Sequence, residues 1–393
     1  MTDFRIRLAA LEITERGREL VMDVLRNNRL SYGPYSRALE ERFAAIHGAA
    51  QAVLSNSGTS SLHVTLAAMK ELGGWADGDE VIVPAVTFVA TVNVVLHNGL
   101  RPVLVDVDPV HYELDPSKLP EALTPRTRAI VPVHLFGQPA DMDPILALAS
   151  AHGLKVLEDS AETMFARYRG RFVGSLGDAA CFSTYVAHLL VTGVGGLTTT
   201  DDPDLAVAVR SLVNHGRDAI YLSIDDDRGL SAQQRRMVMA RRFSFVRLGH
   251  SFRVTELEAA LGVAELETWE EMIARRRHNG AELIRRLEPF ADRMQLPSIR
   301  AGCEHSFMMF PIVLRDGDKG DLAGFLEDEG IETRDMLPIT NQPVYRSILD
   351  TSPGAFPVAE WVNRGGIYIG CHEHLSADDL DYIVDVFSRY WSR

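Results

Sequence analysis

Cysteine and lysine are both scarce in this 393-residue chain, which contains three cysteines and four lysines. The cysteines lie far apart and form no C-x-x-C pair, so the sequence indicates neither a disulfide framework nor a zinc or iron–sulfur site. The chain also lacks the run of about 18 apolar residues that a helix needs to cross a bilayer. Residues 1–7 lack the apolar core of a signal peptide. We therefore expect a cytoplasmic protein that does not insert into a membrane.

Positive charge is also in short supply. The 40 basic residues face 54 acidic ones, which gives a net charge of −14. Nucleic acids and anionic membranes repel such a protein unless it carries a local basic patch. The two arginine clusters, at 235–242 and 275–277, are typical of solvated helix faces. We expect no nucleic-acid partner and no membrane partner.

Short apolar runs alternate with amphipathic helical stretches along the first half of the chain. The runs predict buried strands at residues 81–83, 102–105, 129–133, 155–157 and 179–182. Helical stretches such as 62–69 and 145–151 lie between them. This alternation predicts an α/β fold with a mostly parallel sheet flanked by helices on both faces.

The second half of the sequence has a different pattern. Residues 218–245, with three aspartates at 225–227 and many arginines, indicate an exposed insertion, and a single long helix is expected over 255–287. Later segments predict strands at 308–313 and 365–370 and helices at 321–329 and 377–388. The sequence therefore predicts a large domain at residues 1–265 and a smaller C-terminal α+β domain at 266–393.

Two segments carry groups that suit a phosphorylated ligand. Ser57, Gly58 and Thr59 precede a helix, whose free N–H groups could receive a phosphate. The alternative is an ordinary helix N-cap. Asp159 ends a buried strand. At this end of a strand in an open α/β sheet, a carboxylate faces the ligand crevice and could pair with a pyridine nitrogen. Here too the alternative is a helix N-cap.

Several ordered blocks in residues 30–390 resemble the DegT/DnrJ/EryC1/StrS sugar aminotransferases. They read S-N-S-G-T-S-S-L, V-P-A-V-T-F-V-A-T, V-L-V-D-V-D, V-H-L-F-G-Q-P-A-D-M-D-P-I, V-L-E-D-S-A-E and R-V-T-E-L-E-A-A-L-G. The resemblance implies a fold-type I enzyme that uses pyridoxal phosphate (PLP) and forms a homodimer with active sites at the subunit interface. It also implies a set of cofactor contacts: Asp159 at the pyridine nitrogen, Phe88 on the ring face, and Ser57, Gly58, Thr59 and Ser183 at the phosphate. A core aromatic is the alternative for Phe88.

Three positions depart from the family pattern. His188 stands where the family has the lysine that holds PLP as a Schiff base, and Lys70, Lys118, Lys155 and Lys319 belong to no cofactor-facing block. A histidine cannot form that bond, but it can act as a general base. Glu162 replaces the family's Gln or His, and Ser251 replaces an Asn that reaches the phosphate of the neighbouring subunit.

The histidine and Glu162 both resemble the 3-dehydratases of deoxysugar pathways, which use pyridoxamine phosphate (PMP). This resemblance implies non-covalent PMP/PLP and a nucleotide-linked 4-keto-6-deoxyhexose substrate. His188 would remove a cofactor proton, His188 or Glu162 would protonate the departing C3 hydroxyl, and glutamate would regenerate PMP. Three alternatives stay open: another substrate that need not be a sugar, an aminotransferase that works through free PLP, and a non-catalytic relative.

Overall fold

The computed structural model describes residues 4–218, 230–241, 243–336, 338–349 and 351–393. The strands are β1 (Gln51–Ser55), β2 (Glu80–Pro84), β3 (Arg101–Val105), β4 (Thr127–Ile130), β5 (Lys155–Asp159), β6 (Arg167–Tyr168), β7 (Arg171–Phe172), β8 (Ala179–Ser183), β9 (Gly196–Thr200), β10 (Met294–Gln295), β11 (Cys303–Glu304), β12 (Met309–Leu314), β13 (Thr333–Asp335) and β14 (Gly366–Gly370). The helices are α1 (Glu15–Arg26), α2 (Pro34–His47), α3 (Gly58–Gly73), α4 (Val89–His97), α5 (Leu119–Ala122), α6 (Met142–His152), α7 (Pro203–Val213), α8 (Ala232–Arg241), α9 (Glu256–Glu265), α10 (Trp269–Leu287), α11 (Lys319–Asp328), α12 (Pro343–Arg346), α13 (Pro357–Gly365) and α14 (Ala377–Trp391).

The main sheet has seven strands in the order β1-β9-β8-β5-β4-β2-β3. Strands β3, β2, β4, β5 and β8 are parallel, and β9 runs antiparallel to both of its neighbours, β8 and β1. Alternate strand residues face opposite sides, as the two-residue period of a strand requires. Val81 and Val83 pack with α3, α4 and α7, whereas Ile82 belongs to the core formed with α2, α6 and α9. The predicted fold, a mostly parallel sheet with helices on both faces, is confirmed.

A second sheet of four antiparallel strands, β10-β12-β14-β13, lies in the C-terminal part of the chain. It forms a separate core with α10, α11 and α14. Ile6 belongs to this core and pairs with Ile331, so the start of the described chain packs on the C-terminal sheet. The division into domains at residue 265 stays a prediction.

The single long helix expected over residues 255–287 is wrong, because the structure has two helices there. Helix α9 ends with a tight turn in which the N–H groups of Glu267 and Thr268 donate to carbonyls three residues back. Thr268 then takes a non-helical conformation (φ −127°, ψ 9°) before α10 begins. Helix α9 packs in the main core, whereas α10 contributes Ile273 to that core and Leu283 and Leu287 to the C-terminal core.

The expected insertion is described only in part. Helix α8 buries none of its residues, which agrees with an exposed segment. The three aspartates at 225–227 lie outside the described residues. Within the described part of the chain, no helix combines the length and the apolar character needed to span a bilayer.

Candidate active site

The carboxyl ends of β5 and β8 bring two of the predicted site residues to one edge of the main sheet. Asp159 lies opposite Cys181 in the parallel register, and the Ser160 N–H donates to the Cys181 carbonyl at 2.8 Å. Ser183 follows Cys181 by two residues, so its side chain faces the same side of the sheet. Asp159 and Ser183 therefore share one face of the sheet edge, the face covered by α3 and α4.

Asp159 is a buried carboxyl with neutral hydrogen-bond donors. The Thr91 hydroxyl donates to Oδ2 at 2.7 Å, and the Ala161 N–H donates to Oδ1 at 3.2 Å. Burial raises the pKa of Asp159, although these two hydrogen bonds oppose the rise. A protonated ring nitrogen at this carboxyl would offset the cost of burying its negative charge.

The predicted phosphate-binding segment lies against Ser183. Ser57 caps α3 by accepting the Ser60 N–H at 3.0 Å, and Gly58 is the first helical residue. A side chain at Gly58 would place its Cβ 2.7 Å from the Ser183 Cβ, so only glycine permits this approach. The first turn of a helix carries unpaired N–H groups and the positive end of the helix dipole. Ser57, Gly58 and Thr59 thus lie at a helix N-terminus beside Ser183, an arrangement that suits a phosphate.

Phe88 lies at the start of α4, one turn before Thr91. Its side chain is 55% exposed, so it is not a core aromatic. The Thr91 N–H donates to the Phe88 carbonyl at 3.2 Å, which ties the position of Phe88 to the residue that holds Asp159. An exposed aromatic ring at this place is available to stack on a flat ligand.

His188 lies in the loop between β8 and β9. Its Nδ1 is 3.2 Å from the Ser183 carbonyl oxygen, and a carbonyl only accepts hydrogen bonds. Nδ1 therefore carries the proton, and Nε2 keeps its lone pair. Burial lowers the pKa of His188 to about 4, with partial opposition from the Ser183 carbonyl. At neutral pH the ring is an uncharged base with Nε2 free to accept a proton.

Glu162 lies just after β5 and is half-buried. Burial raises the pKa of its carboxyl to about 7, and the negative charge of Asp159 adds to the rise. The Phe136 N–H donates to its Oε2 at 3.3 Å. Phe136 has a φ of 56°, a left-handed conformation that is strained for a bulky residue. Glu162 can thus hold a proton at pH values where an ordinary glutamate has lost it.

Ser251 precedes Phe252, whose carbonyl accepts a hydrogen bond from the Asn56 N–H at 2.7 Å. Ser251 is exposed, accepts a hydrogen bond from Arg253 at 3.2 Å, and lines a separate cavity of about 390 Å³ with Tyr32 and Arg210. The expectation that it reaches the phosphate site of a neighbouring subunit stays a prediction.

The four lysines are all described, and each forms an ion pair with an aspartate: Lys70 with Asp77, Lys118 with Asp106, Lys155 with Asp178 and Lys319 with Asp335. None of these four aspartates is Asp159 or one of the residues described around it. At this site the chain offers an imidazole at position 188 and no amine.

Sequence reasoning missed some of the side chains that build the site. Thr91 stands in the same V-P-A-V-T-F-V-A-T block as Phe88, so its hydroxyl could have been noticed. Tyr368 lies 5.3 Å from Phe136, measured between ring centroids, and burial together with the Glu162 charge raises the pKa of its hydroxyl. It comes from a distant strand of the C-terminal sheet, and no local pattern signals such a contact.

Residues 11–388 match the DegT/DnrJ/EryC1/StrS aminotransferase family. The chain belongs to this family. GDP-perosamine synthase of Caulobacter vibrioides is 35% identical over 387 residues, which cover 97% of this chain and 96% of that protein. The UDP-N-acetyl-3-dehydro-alpha-D-glucosamine 3-aminotransferase of Acidithiobacillus ferrooxidans is 37% identical, over 91% of this chain and 89% of that protein.

Solved structures of a GDP-4-keto-6-deoxymannose-3-dehydratase are also similar. The Escherichia coli enzyme with bound hydrated PLP has a TM-score of 0.87 and 25% identity, and the match covers 98% of this chain and 99% of that chain. A histidine-to-asparagine variant of such a dehydratase, with bound GDP-perosamine, has a TM-score of 0.88 and 25% identity over 97% of this chain and 100% of that chain.

The family is one of PLP-dependent enzymes, and the residues present fit such a cofactor. The group formed by Ser57, Gly58, Thr59 and Ser183 suits the phosphate, and the buried Asp159 suits a protonated ring nitrogen. The exposed Phe88 ring suits the face of the cofactor. Position 188 is a histidine, whose side chain cannot form a Schiff base with the cofactor.

Proposed function

We propose that this protein is a PMP/PLP-dependent 3-dehydratase, which removes the C3 hydroxyl of a nucleotide-linked 4-keto-6-deoxyhexose. The observation that carries the proposal is His188, a neutral base with a free Nε2 at the position of the family's lysine. A base is sufficient for proton removal, and C3 deoxygenation needs proton removal without a covalent anchor. The proposal is also supported by the resemblance of the fold to that of a 3-dehydratase whose structure was solved as a histidine-to-asparagine variant.

When bound as PMP, the cofactor supplies the amino group that condenses with the 4-keto carbon and the ring that accepts electrons during loss of the C3 oxygen. Asp159 holds the ring nitrogen in its protonated form. His188 takes the C4′ proton through Nε2, while the Nδ1–H contact to Ser183 fixes the ring. Glu162 is the acid that protonates the departing C3 hydroxyl. Glutamate is the proposed amino donor that restores PMP.

The pKa values of His188 and Glu162 suit their roles as base and acid. With the pKa of His188 at about 4 and that of Glu162 at about 7, the base is neutral and the acid is protonated over the same pH interval. Both groups are thus in their working forms between these values. With two ordinary side chains, the carboxyl would lose its proton before the imidazole became neutral.

A second candidate function is an aminotransferase that works with non-covalent PLP. It is favoured by the relatives at 35–37% identity, one named a GDP-perosamine synthase and the other a 3-aminotransferase. It is opposed by His188, because no amine is available to displace an amino product from the cofactor.

The decisive experiment incubates the protein with PMP, glutamate and a panel of GDP-, dTDP-, CDP- and UDP-4-keto-6-deoxysugars. The dehydratase yields a sugar that has lost the C3 oxygen, and in D₂O it incorporates deuterium at C3. The aminotransferase yields a 4-amino sugar that retains its 3-hydroxyl. Detection of the amino sugar, or turnover of a non-sugar ketone alone, would overturn the proposal.

We also propose a homodimer, supported by exposed apolar side chains in residues 237–241 and 243–248. Met239, Phe243 and Leu248 are 65%, 75% and 98% exposed, which is unusual for three large apolar side chains in one segment. A second copy of the chain would bury this surface. We expect light scattering to give the mass of a dimer, and the double variant Phe243→Asp/Leu248→Asp to give a monomer. A wild-type monomer would contradict the proposal.

A further inference from the structure

The side of the His188 loop that faces α9 and α10 borders a small cleft. Its cavity volume is about 180 Å³, and His188, Val191 and Glu265 are among the lining residues. The N-terminal segment at residues 9–14 and Glu373 close its other sides. The cleft therefore brings side chains from distant parts of the chain to the proposed base.

Glu265, the last residue of α9, is the carboxyl most closely tied to the His188 loop. It is half-buried, and the Val191 N–H is directed at its carboxyl group. Three residues earlier on the same helix face, a side chain at Gly262 would lie 3.1 Å from the Thr192 methyl carbon. Helix α9 is thus packed directly on the loop, and Glu265 has little freedom to move away.

The other charged groups of the cleft leave Glu265 without a cation of its own. Arg276 pairs with Glu373 at 2.8 Å and also donates to the carbonyls of Phe307 and Met308. Among the ion pairs of the described residues, none includes Glu265. Besides His188, the titratable and charged groups that line the cleft are Glu12, Glu271, Arg275, Arg276, Glu373 and His374. Burial and then the Glu373 charge raise the pKa of Glu265 to about 7.

We propose that Glu265 is a positioning residue for His188, whose ionised carboxyl stabilises the protonated imidazole across the cleft. The inference rests on the proposed function, in which His188 takes up a proton. Burial makes the imidazolium costly, and the Ser183 carbonyl is the one group shown to offset that cost. A carboxylate in the same low-dielectric cleft lowers the cost further, as the acid of a catalytic triad does for its histidine.

The ionisation of Glu265 should raise the proton affinity of His188. Well below pH 7 Glu265 is protonated and gives little such stabilisation, whereas at higher pH it is ionised and strengthens the base at position 188. Because the pKa of Glu162 is also about 7, an ionised Glu265 and a protonated Glu162 occur together near pH 7. Glu265→Gln imitates the protonated form at every pH. Glu265→Asp keeps the charge and should retain most of the effect.

The first test uses a lysine at position 188 as a reporter and requires no sugar substrate. His188→Lys should bind PLP covalently, and the visible absorbance of the bound cofactor titrates with pH. Adding Glu265→Gln should lower the apparent pKa of this titration by about one unit, a tenfold change in proton affinity. Adding Glu265→Asp should restore most of it, and adding Glu270→Gln, an exposed acid of α10 that does not line the cleft, should change nothing. Equal titrations in all four proteins would overturn the proposal.

The second test compares turnover in the histidine protein. The ratio of the wild-type rate to the Glu265→Gln rate should be near one at pH 6 and about tenfold at pH 8, where Glu265 is ionised. Because Glu162 titrates in both proteins, its contribution cancels in this ratio. A ratio that is constant with pH contradicts the proposal. If no dehydration occurs at all, the dehydratase function fails, while the lysine titration still decides the assignment of Glu265.

Discussion

The side of the site that suits the cofactor is built from the ends of regular elements, whereas the side that would move protons is built from loops. Asp159 ends β5, Ser183 ends β8 and Gly58 begins α3, so sheet and helix hydrogen bonds fix all three. His188 and Glu162 lie in connecting segments, and the side chain of each contacts a backbone group of another residue, Ser183 and Phe136 respectively.

This difference separates binding from reaction type. Backbone hydrogen bonds of the main sheet and of α3 set the positions of Asp159, Ser183 and Gly58, so their placement follows from the fold itself. Loops tolerate substitution because few backbone hydrogen bonds depend on their side chains. Under the proposed function, a histidine in place of the family's lysine at position 188 would alter the chemistry without any change in the surrounding strands. Substitutions on each side of the site should accordingly give different kinds of defect.

Asp159→Asn is expected to give the largest effect. A neutral amide cannot keep the ring nitrogen protonated, so turnover should fall by about 10⁴-fold, each power of ten costing about 1.4 kcal/mol of barrier. Steady-state kinetics with PMP and the sugar substrate measure this loss. A loss of tenfold or less would mean that another group holds the ring nitrogen and that the element-built side is not the binding side.

His188→Asn should lower turnover by about 10³-fold and leave cofactor affinity nearly unchanged, because the loop side moves protons and does not bind the phosphate. Absorbance titration with PLP measures the affinity. His188→Lys is the matched control: borohydride reduction should leave cofactor attached to position 188 in that variant, and should leave none attached to the wild-type protein. Near-native turnover of the Asn variant would remove His188 from the mechanism.

Sequence alone predicted the element-built side well, for a physical reason. Short buried strands and a capped helix have local patterns, and the ends of parallel strands meet at one edge of a sheet. The local patterns of residues 155–159 and 57–59 indicate that Asp159 and Gly58 face a ligand, whereas Ser183 is assigned only through the family resemblance. The cofactor contacts assigned to them stay predictions.

The parts that sequence did not predict depend on distant contacts. The break between α9 and α10 depends on the two cores in which the helices pack. The helical period of residues 255–287 does not reveal which core each part of the segment enters. In the sequence, Glu265 is an ordinary polar position of α9, and only the structure shows that α9 packs against Thr192. The left-handed backbone of Phe136 likewise has no sequence signal, since phenylalanine rarely adopts it.

Glu162→Gln is expected to have an intermediate effect on the loop side. The amide can still accept the Phe136 N–H, but it cannot supply an acidic proton to a departing hydroxyl, so turnover should fall by about 10²-fold. A component of the wild-type rate should decline as pH rises through about 7, where Glu162 loses its proton, and this component should be absent in the variant. The comparison is made in the Glu265→Gln background, which removes the other group that titrates in this range. An unchanged pH profile would assign the acid to another residue, with His188 itself next.

The smallest effect is expected from Thr91→Val, which tests how the element-built side holds its carboxyl. The Thr87 and Thr91 hydroxyl oxygens are 2.7 Å apart, and Thr91 donates its own proton to Asp159 at 2.7 Å. Valine has the same shape and removes one hydrogen bond to a charged group, which contributes at least roughly 1.5 kcal/mol, so PLP affinity should fall by about tenfold or more. Thr87→Val is the control: it leaves the Thr91 donor in place and should weaken binding less.

If Thr91→Val binds PLP as tightly as the wild type, the Ala161 N–H alone suffices to hold Asp159, and the hydroxyl pair serves only the packing of α4. If the two variants weaken binding equally, Thr87 must fix the direction in which Thr91 donates, and the binding side then depends on the loop before α4 as well as on the regular elements.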